Sequence, residues 1–329
     1  MLLEVDHLEV EFATGQGPLH AVRGVSFEIA EGEVLGVVGE SGSGKSVTAH
    51  SILRLLPGNG AIVGGDIRYR GGSVLQYSPA ALRSFRGPKV SIIFQEPGRS
   101  FDPIYTVGKA LEETLRAHNP EMPETEVRER SIQLLRETHV PYAEQRLHNY
   151  PHQFSGGLLQ RIMIALALAS DPDVLIADEP TTALDVTIQA QIIELLLELK
   201  EKRNLAIIFI THNLALISEI ADRILVMYGG LAMEYGAAGE VLAHPRHPYT
   251  RALLASILIL GEHYSKETLH TVSGGTPDPR RPEPGCPFAP RCPLARAACR
   301  ETVPALVADG TYHRCILAGE KPEDLYARD

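Results

Sequence analysis

At 329 residues, with 44% hydrophobic and 22% charged residues, the chain is long enough for one large domain plus an appendage and can bury a core. A net charge of -10 argues against a free-standing nucleic-acid binder, which needs a basic surface to neutralise phosphates. No stretch approaches the roughly 18 consecutive apolar residues of a membrane span; the longest runs, Ile162 to Ala169 and Leu253 to Leu260, have helix or core length.

The start, M-L-L-E-V-D-H-L-E-V, is acidic and alternating, without the basic and apolar regions of a signal peptide. The chain is therefore expected to stay in the cytosol and to reach a membrane only through partners. Leu2 to Phe12 predicts a strand, and Gly24 to Ile29 continues an edge sheet. Val34 to Val38 is a short continuous apolar run, the pattern of a buried parallel strand. A Gly-rich loop follows it, then a helix from about Lys45 to Leu56. Val90 to Phe94 predicts a second buried strand that ends at Gln95. From about Thr106 to Tyr150 the chain is polar, Glu/Arg-rich and helical in period, punctuated by Pro120, Pro123 and Pro141. A helix follows Ser155, a third buried strand spans Val174 to Ala177, and Thr187 to Arg203 reads as an amphipathic helix. Ala206 to Ile210 and Ile224 to Met227 predict two more buried strands. From Gly274 the composition shifts to Pro, Gly, Arg and Cys, which predicts an irregular appendage held by something other than a hydrophobic core.

The loop Gly39 to Ser46, G-E-S-G-S-G-K-S, matches the phosphate-loop pattern in full and stands between a strand and a helix, as that pattern requires. Its backbone N–H groups (Gly39, Glu40, Ser41, Gly42, Ser43, Gly44) wrap phosphates, helped by the helix dipole. Glycines let the backbone turn and approach the ligand closely. Lys45 reaches the β- and γ-phosphates, and the Ser46 hydroxyl coordinates Mg²⁺. The run V-L-I-A-D-E-P places Asp178 and Glu179 at the end of a buried strand, where two carboxylates are costly unless they bind a cation or activate a nucleophile. Asp178 suits Mg²⁺, and Glu179 suits a general base that polarises the attacking water.

With F-S-G-G-L-L-Q-R at Phe154 to Arg161, the chain resembles ABC ATPases over roughly residues 1 to 260. Ser155, Gly156 and Gly157 match the family signature, whereas Phe154 and Leu158 depart from the common Leu and Gln. The resemblance implies an α/β P-loop NTPase core with an antiparallel β subdomain, a helical subdomain at about 106–170 and a small Cys-rich C-terminal extension over 261–329. It implies that Gln95 contacts Mg²⁺ and water and senses a transmembrane partner. It also implies that Asp185, in A-L-D (183–185), lies in a loop that crosses between two ATPases, and that His212 hydrogen-bonds the γ-phosphate. Phe12 stands where the family often has an aromatic stacked on adenine. Each ATP would lie between the phosphate loop of one ATPase and the S-G-G of another.

The four cysteines, Cys286, Cys292, Cys299 and Cys315, cluster near the C-terminus, which in a reducing compartment points to a metal or cluster over disulfides. H-P-Y-T (His247 to Thr250), followed by R-A-L-L, and the cysteine spacing resemble ATPases of oligopeptide and dipeptide importers, whose members can carry a [4Fe–4S] cluster. Zinc is the competing metal, although structural zinc sites prefer paired C-x₂₋₄-C spacing, missing here. Arg280, Arg281, Arg291, Arg296 and Arg300 would offset the charge of such a cluster. The resemblance implies a second related ATPase, two transmembrane permeases and an extracellular substrate-binding protein as partners, no nucleic acid, and a peripheral position on the cytoplasmic face of the plasma membrane. An importer of nickel or another small solute is the alternative within the class, and a nucleic-acid-associated ABC ATPase is the rival outside it.

Overall fold

The computed structural model describes residues 1–182, 184–256 and 274–318. Ala183 of the A-L-D stretch, the end of the Leu253 to Leu260 run, the expected boundary at 261 and the last residues of the extension lie outside the described residues. The chain divides into two compact units. One comprises Met1–Ile29, Val34–Leu75 and Thr211–Asp329; the other comprises Ala30–Glu33 and Gln76–Ile210.

The first unit opens with a long antiparallel hairpin, Leu3–Thr14 against Gly17–Ile29, in register from Leu3 opposite Ile29 to Thr14 opposite Gly17. The second strand is thus longer than the expected Gly24 to Ile29. The strand Gly60–Tyr69, which the sequence reading missed, pairs on the other side of Leu3–Thr14. Glycines at 60, 64 and 65 hide its alternation, yet each accommodates a neighbour. A Cβ on Gly60 would lie 2.6 Å from the Phe12 ring, and one on Gly65, at φ 80°, would lie 2.3 Å from the His7 carbonyl.

Val34–Val38 is buried at all five positions and runs parallel to Arg223–Tyr228, Val38 opposite Val226. Gly36 lets the helix Leu214–Ile220 pack directly on it, since a Cβ there would stand 2.4 Å from Ile217 Cγ2. The helix after the loop spans Lys45–Ile52 and stops short of Leu56, because Arg54 takes a left-handed φ of 52°. Arg223–Tyr228 turns through Gly229 and Gly230 into Leu231–Ala237, a second strand missed from sequence.

The Cys-rich segment is more ordered than its composition suggests. Val307–Asp309 and Thr311–His313 form a hairpin whose inner strand pairs with Leu231–Ala237, Glu234 opposite His313. Phe288 is 1% exposed and packs on Tyr228 and Tyr249, with ring centroids 5.4 and 5.2 Å apart. The appendage is therefore anchored by a small aromatic core, contrary to the expectation from its Pro/Gly content.

In the second unit, Val90–Ile93, Val174–Asp178 and Ala206–Thr211 form parallel pairs in register at Val90, Val174 and Ala206. The strand Val90–Ile93 ends one residue earlier than expected, leaving Phe94 exposed. The two inner strands are buried throughout, and each buried Val, Leu or Ile side chain contributes about 1.5–3 kcal/mol. Helices Val107–His118 and Glu124–Glu137 bury single stripes, Val107, Leu111 and Leu115 on the first and Val127, Leu134 and Leu135 on the second. Gly156–Leu168 is apolar nearly all round and correspondingly buried on most sides. Val186–Arg203 buries Ile192, Leu195, Leu196 and Leu199, the i, i+3, i+4, i+7 face of an amphipathic helix.

Candidate nucleotide site and cysteine cluster

The phosphate loop is a compact backbone cradle in the first unit. Gly39, Gly42 and Gly44 sit at φ 153°, 78° and 100°. A Cβ on Gly39 would lie 2.1 Å from the Met227 carbonyl oxygen, and one on Gly44 2.6 Å from that of Ala21. Neither position tolerates a side chain while the loop keeps this path. Ser43 N–H donates to the Glu40 carbonyl at 3.2 Å, closing the turn, and Gly230 N–H donates to the Ser43 carbonyl at 3.2 Å. Lys45 is 5% exposed. Its ammonium donates to the carbonyls of Gly39 and Glu40 at 2.7 and 2.9 Å and lies 3.4 Å from Ser43 Oγ. These are neutral acceptors, so a positive charge is held inside the loop with no carboxylate among those three contacts. Ser41 and Gly42 are exposed at the rim, and Ser46 is half-buried on the first helical turn. In the same unit, exposed His212 follows Thr211, and Asn213 caps the next helix by accepting from Leu216 N–H. Phe12 lies over Gly60, half-buried on the hairpin.

The acidic pair belongs to the second unit. Asp178 is 3% exposed at the end of its strand, opposite Ile210. Glu179 leaves the strand in the left-handed region, φ 47°, while its N–H still donates to the Ile210 carbonyl at 2.9 Å. That conformation is uncommon for a residue with a Cβ. One carboxylate oxygen of Glu179, Oε2, accepts from Gln95 Nε2 at 2.9 Å and from the Thr182 hydroxyl at 2.8 Å. Gln95 and Glu179, 84 positions apart in sequence, are thus brought into direct contact. Thr182 was not singled out by the sequence reading; the only signal for it is its place three residues after the glutamate.

Ser155 caps Gly156–Leu168, its hydroxyl accepting from Leu158 N–H at 3.5 Å. Gly156 and Ser155 are exposed, whereas a Cβ on Gly157 would stand 2.7 Å from Ile188 Cγ2 on the helix that Asp185 caps. The S-G-G turn and the Asp185 turn therefore pack as one surface in this unit, with Gly156 3.4 Å from Leu184 by the same measure.

All four cysteines are free thiols and line one small hollow in the first unit, together with His247, Phe288 and Arg314. Burial pushes the Cys286 and Cys292 thiols up to about 11 and raises that of Cys315. Backbone N–H groups of Arg296 and Leu317 donate to Cys299 and Cys315 sulfurs at 3.4 Å. Among the described residues no three His, Cys, Asp or Glu side chains are spaced to hold a single metal ion. The expected metal centre, iron–sulfur or zinc, is thus not seen as a ready-made site.

Two of the arginines expected to offset the charge of a cluster are paired elsewhere. Arg291 pairs with Glu40, at 2.7 and 3.1 Å, and Arg280 with Asp278. Arg314, not foreseen, lines the hollow instead. His247 of the H-P-Y-T run also lines it, Nε2 standing 4.0 Å from Cys286 Sγ. Its Nδ1 accepts from Tyr249 N–H, which puts the proton of the neutral ring on Nε2 facing the sulfur. Burial, reinforced by His313, Arg251 and Arg314, pushes His247 down to about 3, so the ring stays neutral.

A full phosphate loop between a buried strand and a helix, with an acidic pair at another strand end, defines a P-loop nucleotide-binding protein. A model of the ABC transporter family matches residues 22–182, and one of the oligopeptide/dipeptide transporter C-terminal region matches 233–299. The chain is 45% identical over 316 residues to the dipeptide transport ATP-binding protein DppD of Escherichia coli (strain K12), covering 95% of this chain and 96% of that one. It is 43% identical over 325 residues to DppD of Bacillus subtilis (strain 168), covering 98% and 96%. Among solved structures, the ATP-binding cassette MJ0796, in a dimeric post-hydrolysis state with ADP and Pi, superposes with a TM-score of 0.64 at 26% identity. It covers 72% of this chain and 98% of that one. The chain belongs to the ABC transporter ATP-binding family, in the group that carries the oligopeptide/dipeptide transporter C-terminal region.

Proposed function

We propose that this chain is the ATPase subunit of a peptide importer and that Glu179 is its general base. The hydrogen bonds from Gln95 and Thr182 to one Glu179 oxygen carry this reading: they fix a carboxylate at a strand end in an orientation fit to take a proton from water. The loop amides from Gly39 to Ser46 hold the triphosphate, and Lys45 exchanges its carbonyl contacts for phosphate oxygens. Bound Mg²⁺ supplies charge stabilisation on the phosphate oxygens; Ser46, Asp178 and Gln95 are its ligands or water contacts on this chain. His212 donates to the γ-phosphate, and Phe12 stacks on adenine. Ser155, Gly156, Gly157 and Asp185 face the nucleotide of a second ATPase, which makes hydrolysis depend on pairing.

The C-terminal region and the dipeptide transport relatives support peptides as the cargo. Two permeases and a binding protein complete the machine, and the chain sits on the cytoplasmic face of the membrane. No helix among the described residues is long and apolar enough to cross a membrane. Cys286, Cys292, Cys299 and Cys315 would be the thiols that hold a [4Fe–4S] cluster, which would tie the extension together; zinc is the competing occupant. Assembled with permeases, a second ATPase and the binding protein in proteoliposomes, the chain hydrolyses ATP faster when di- or oligopeptides are supplied. Stimulation by nickel alone would replace the cargo, and absence of Mg-ATP binding would sink the whole reading.

A further inference from the structure

The phosphate loop is gripped from the far end of the chain. The guanidinium of Arg291 makes a two-pronged ion pair with the Glu40 carboxylate, 2.7 Å to Oε2 and 3.1 Å to Oε1, and also donates to the Tyr228 hydroxyl at 2.9 Å. The Arg291 side chain is 6% exposed and that of Glu40 24%, so this pair is shielded from solvent and its fork geometry is fixed. The main chain of Glu40 is held as well: its N–H donates to the Tyr249 hydroxyl at 2.9 Å, and its carbonyl accepts from Lys45 and from Ser43 N–H. Tyr249 is fully buried, its ring 4.6 Å from Tyr228 and 5.2 Å from Phe288. Arg291 is in turn seated by its own N–H donating to the Phe288 carbonyl at 2.9 Å.

Glu40 is an anion one residue into a loop built to receive a polyanion. Left bare, it would repel phosphate and be free to swing; paired, it is neutralised and the start of the loop is fixed. We propose that Arg291, carried by the cysteine-bearing segment, is a positioning residue that sets the affinity of the phosphate loop for Mg-ATP by clamping Glu40. The proposal rests on the nucleotide-binding reading above and adds the C-terminal extension to the determinants of that affinity. It also gives the segment of Cys286 and Cys292 a mechanical link to the loop, since Arg291 lies between them in sequence.

The test is a double-mutant cycle, read on the full chain as the Kd for Mg-ATP by titration calorimetry and in the assembled transporter as the KM and kcat for ATP. Arg291→Ala raises Kd and KM about ten-fold with kcat changed far less, the coupling expected for contacting charged residues. Arg291→Lys recovers part of the loss, because it keeps the charge without the fork. Glu40→Gln with Arg291→Ala is less impaired than the product of the two single effects, because both act through one contact. Circular dichroism confirms that each variant is folded before titration. If folded Arg291→Ala binds Mg-ATP as the parent does, or the two changes multiply independently, the proposal is overturned. If the parent itself binds no Mg-ATP, the nucleotide-binding reading fails instead.

Discussion

Gln95 Nε2 and Thr182 Oγ1 converge on a single oxygen of Glu179, at 2.9 and 2.8 Å, on a residue whose backbone stands at φ 47°. Two donors on one oxygen fix the orientation of that carboxylate.

Glu179→Gln keeps a polar side chain of the same shape but cannot accept the proton. Phosphate release should fall by about 10²–10⁴-fold, the usual share of a general base, while Mg-ATP binding persists and a closed dimer accumulates in gel filtration. Ordinary steady-state turnover in this variant would remove Glu179 from the base role.

The loop backbone predicts a different phenotype. Gly39→Ala would force a methyl to 2.1 Å from the Met227 carbonyl, and Lys45→Ala would remove the buried ammonium. Both should cost nucleotide affinity outright, about ten-fold or more for the lost charge-assisted hydrogen bonds of Lys45. Equilibrium binding of a fluorescent ATP analogue measures this directly; unchanged affinity in Lys45→Ala would contradict the cradle.

Glu234, buried on the strand beside the C-terminal hairpin, offers a pH test. Burial raises its carboxyl above the usual range, although the N–H groups of Arg246 and His247 donate to it and pull the other way. A group raised in the fold favours the fold below its unfolded value, and that advantage is lost as pH rises through the folded value. Glu234→Gln cannot titrate, so its stability deficit relative to the parent should shrink as pH rises above the ordinary glutamate value of 4.5. Paired thermal unfolding curves decide it, and a gap independent of pH would mean that Glu234 ionises as freely in the fold as outside it.

The cysteine hollow makes a spectroscopic prediction. Protein purified without oxygen should be brown, absorbing near ~400 nm, and should bleach with iron release in air. Cys299→Ser, altering a thiol that is 8% exposed, should abolish the colour if the four cysteines hold the proposed cluster. A colourless protein carrying one equivalent of zinc would assign the site to zinc instead.

Much of the site was legible because its chemistry is local. Gly39 to Ser46 form a contiguous loop whose glycines, lysine and serine each answer a requirement of phosphate binding, and Asp178–Glu179 stand out as charges after a fully apolar strand. Strands such as Val34–Val38 were equally plain, since continuous burial demands a continuous apolar run. Gly60–Tyr69 and Leu231–Ala237 were not, because interspersed glycines or full burial erase the period-two signal, and partners distant in sequence decide the pairing.

The chain's order of residues alone determined the nucleotide chemistry, since a cradle of consecutive amides needs only consecutive residues. Tertiary structure decided which distant side chains serve it: Gln95 and Thr182 on Glu179, Tyr249 and Arg291 on Glu40, Arg314 and His247 around the thiols. The reason is geometric. A hydrogen bond or ion pair reaches only about 3 Å, and which residues come that close depends on how strands pair and helices pack across the whole fold.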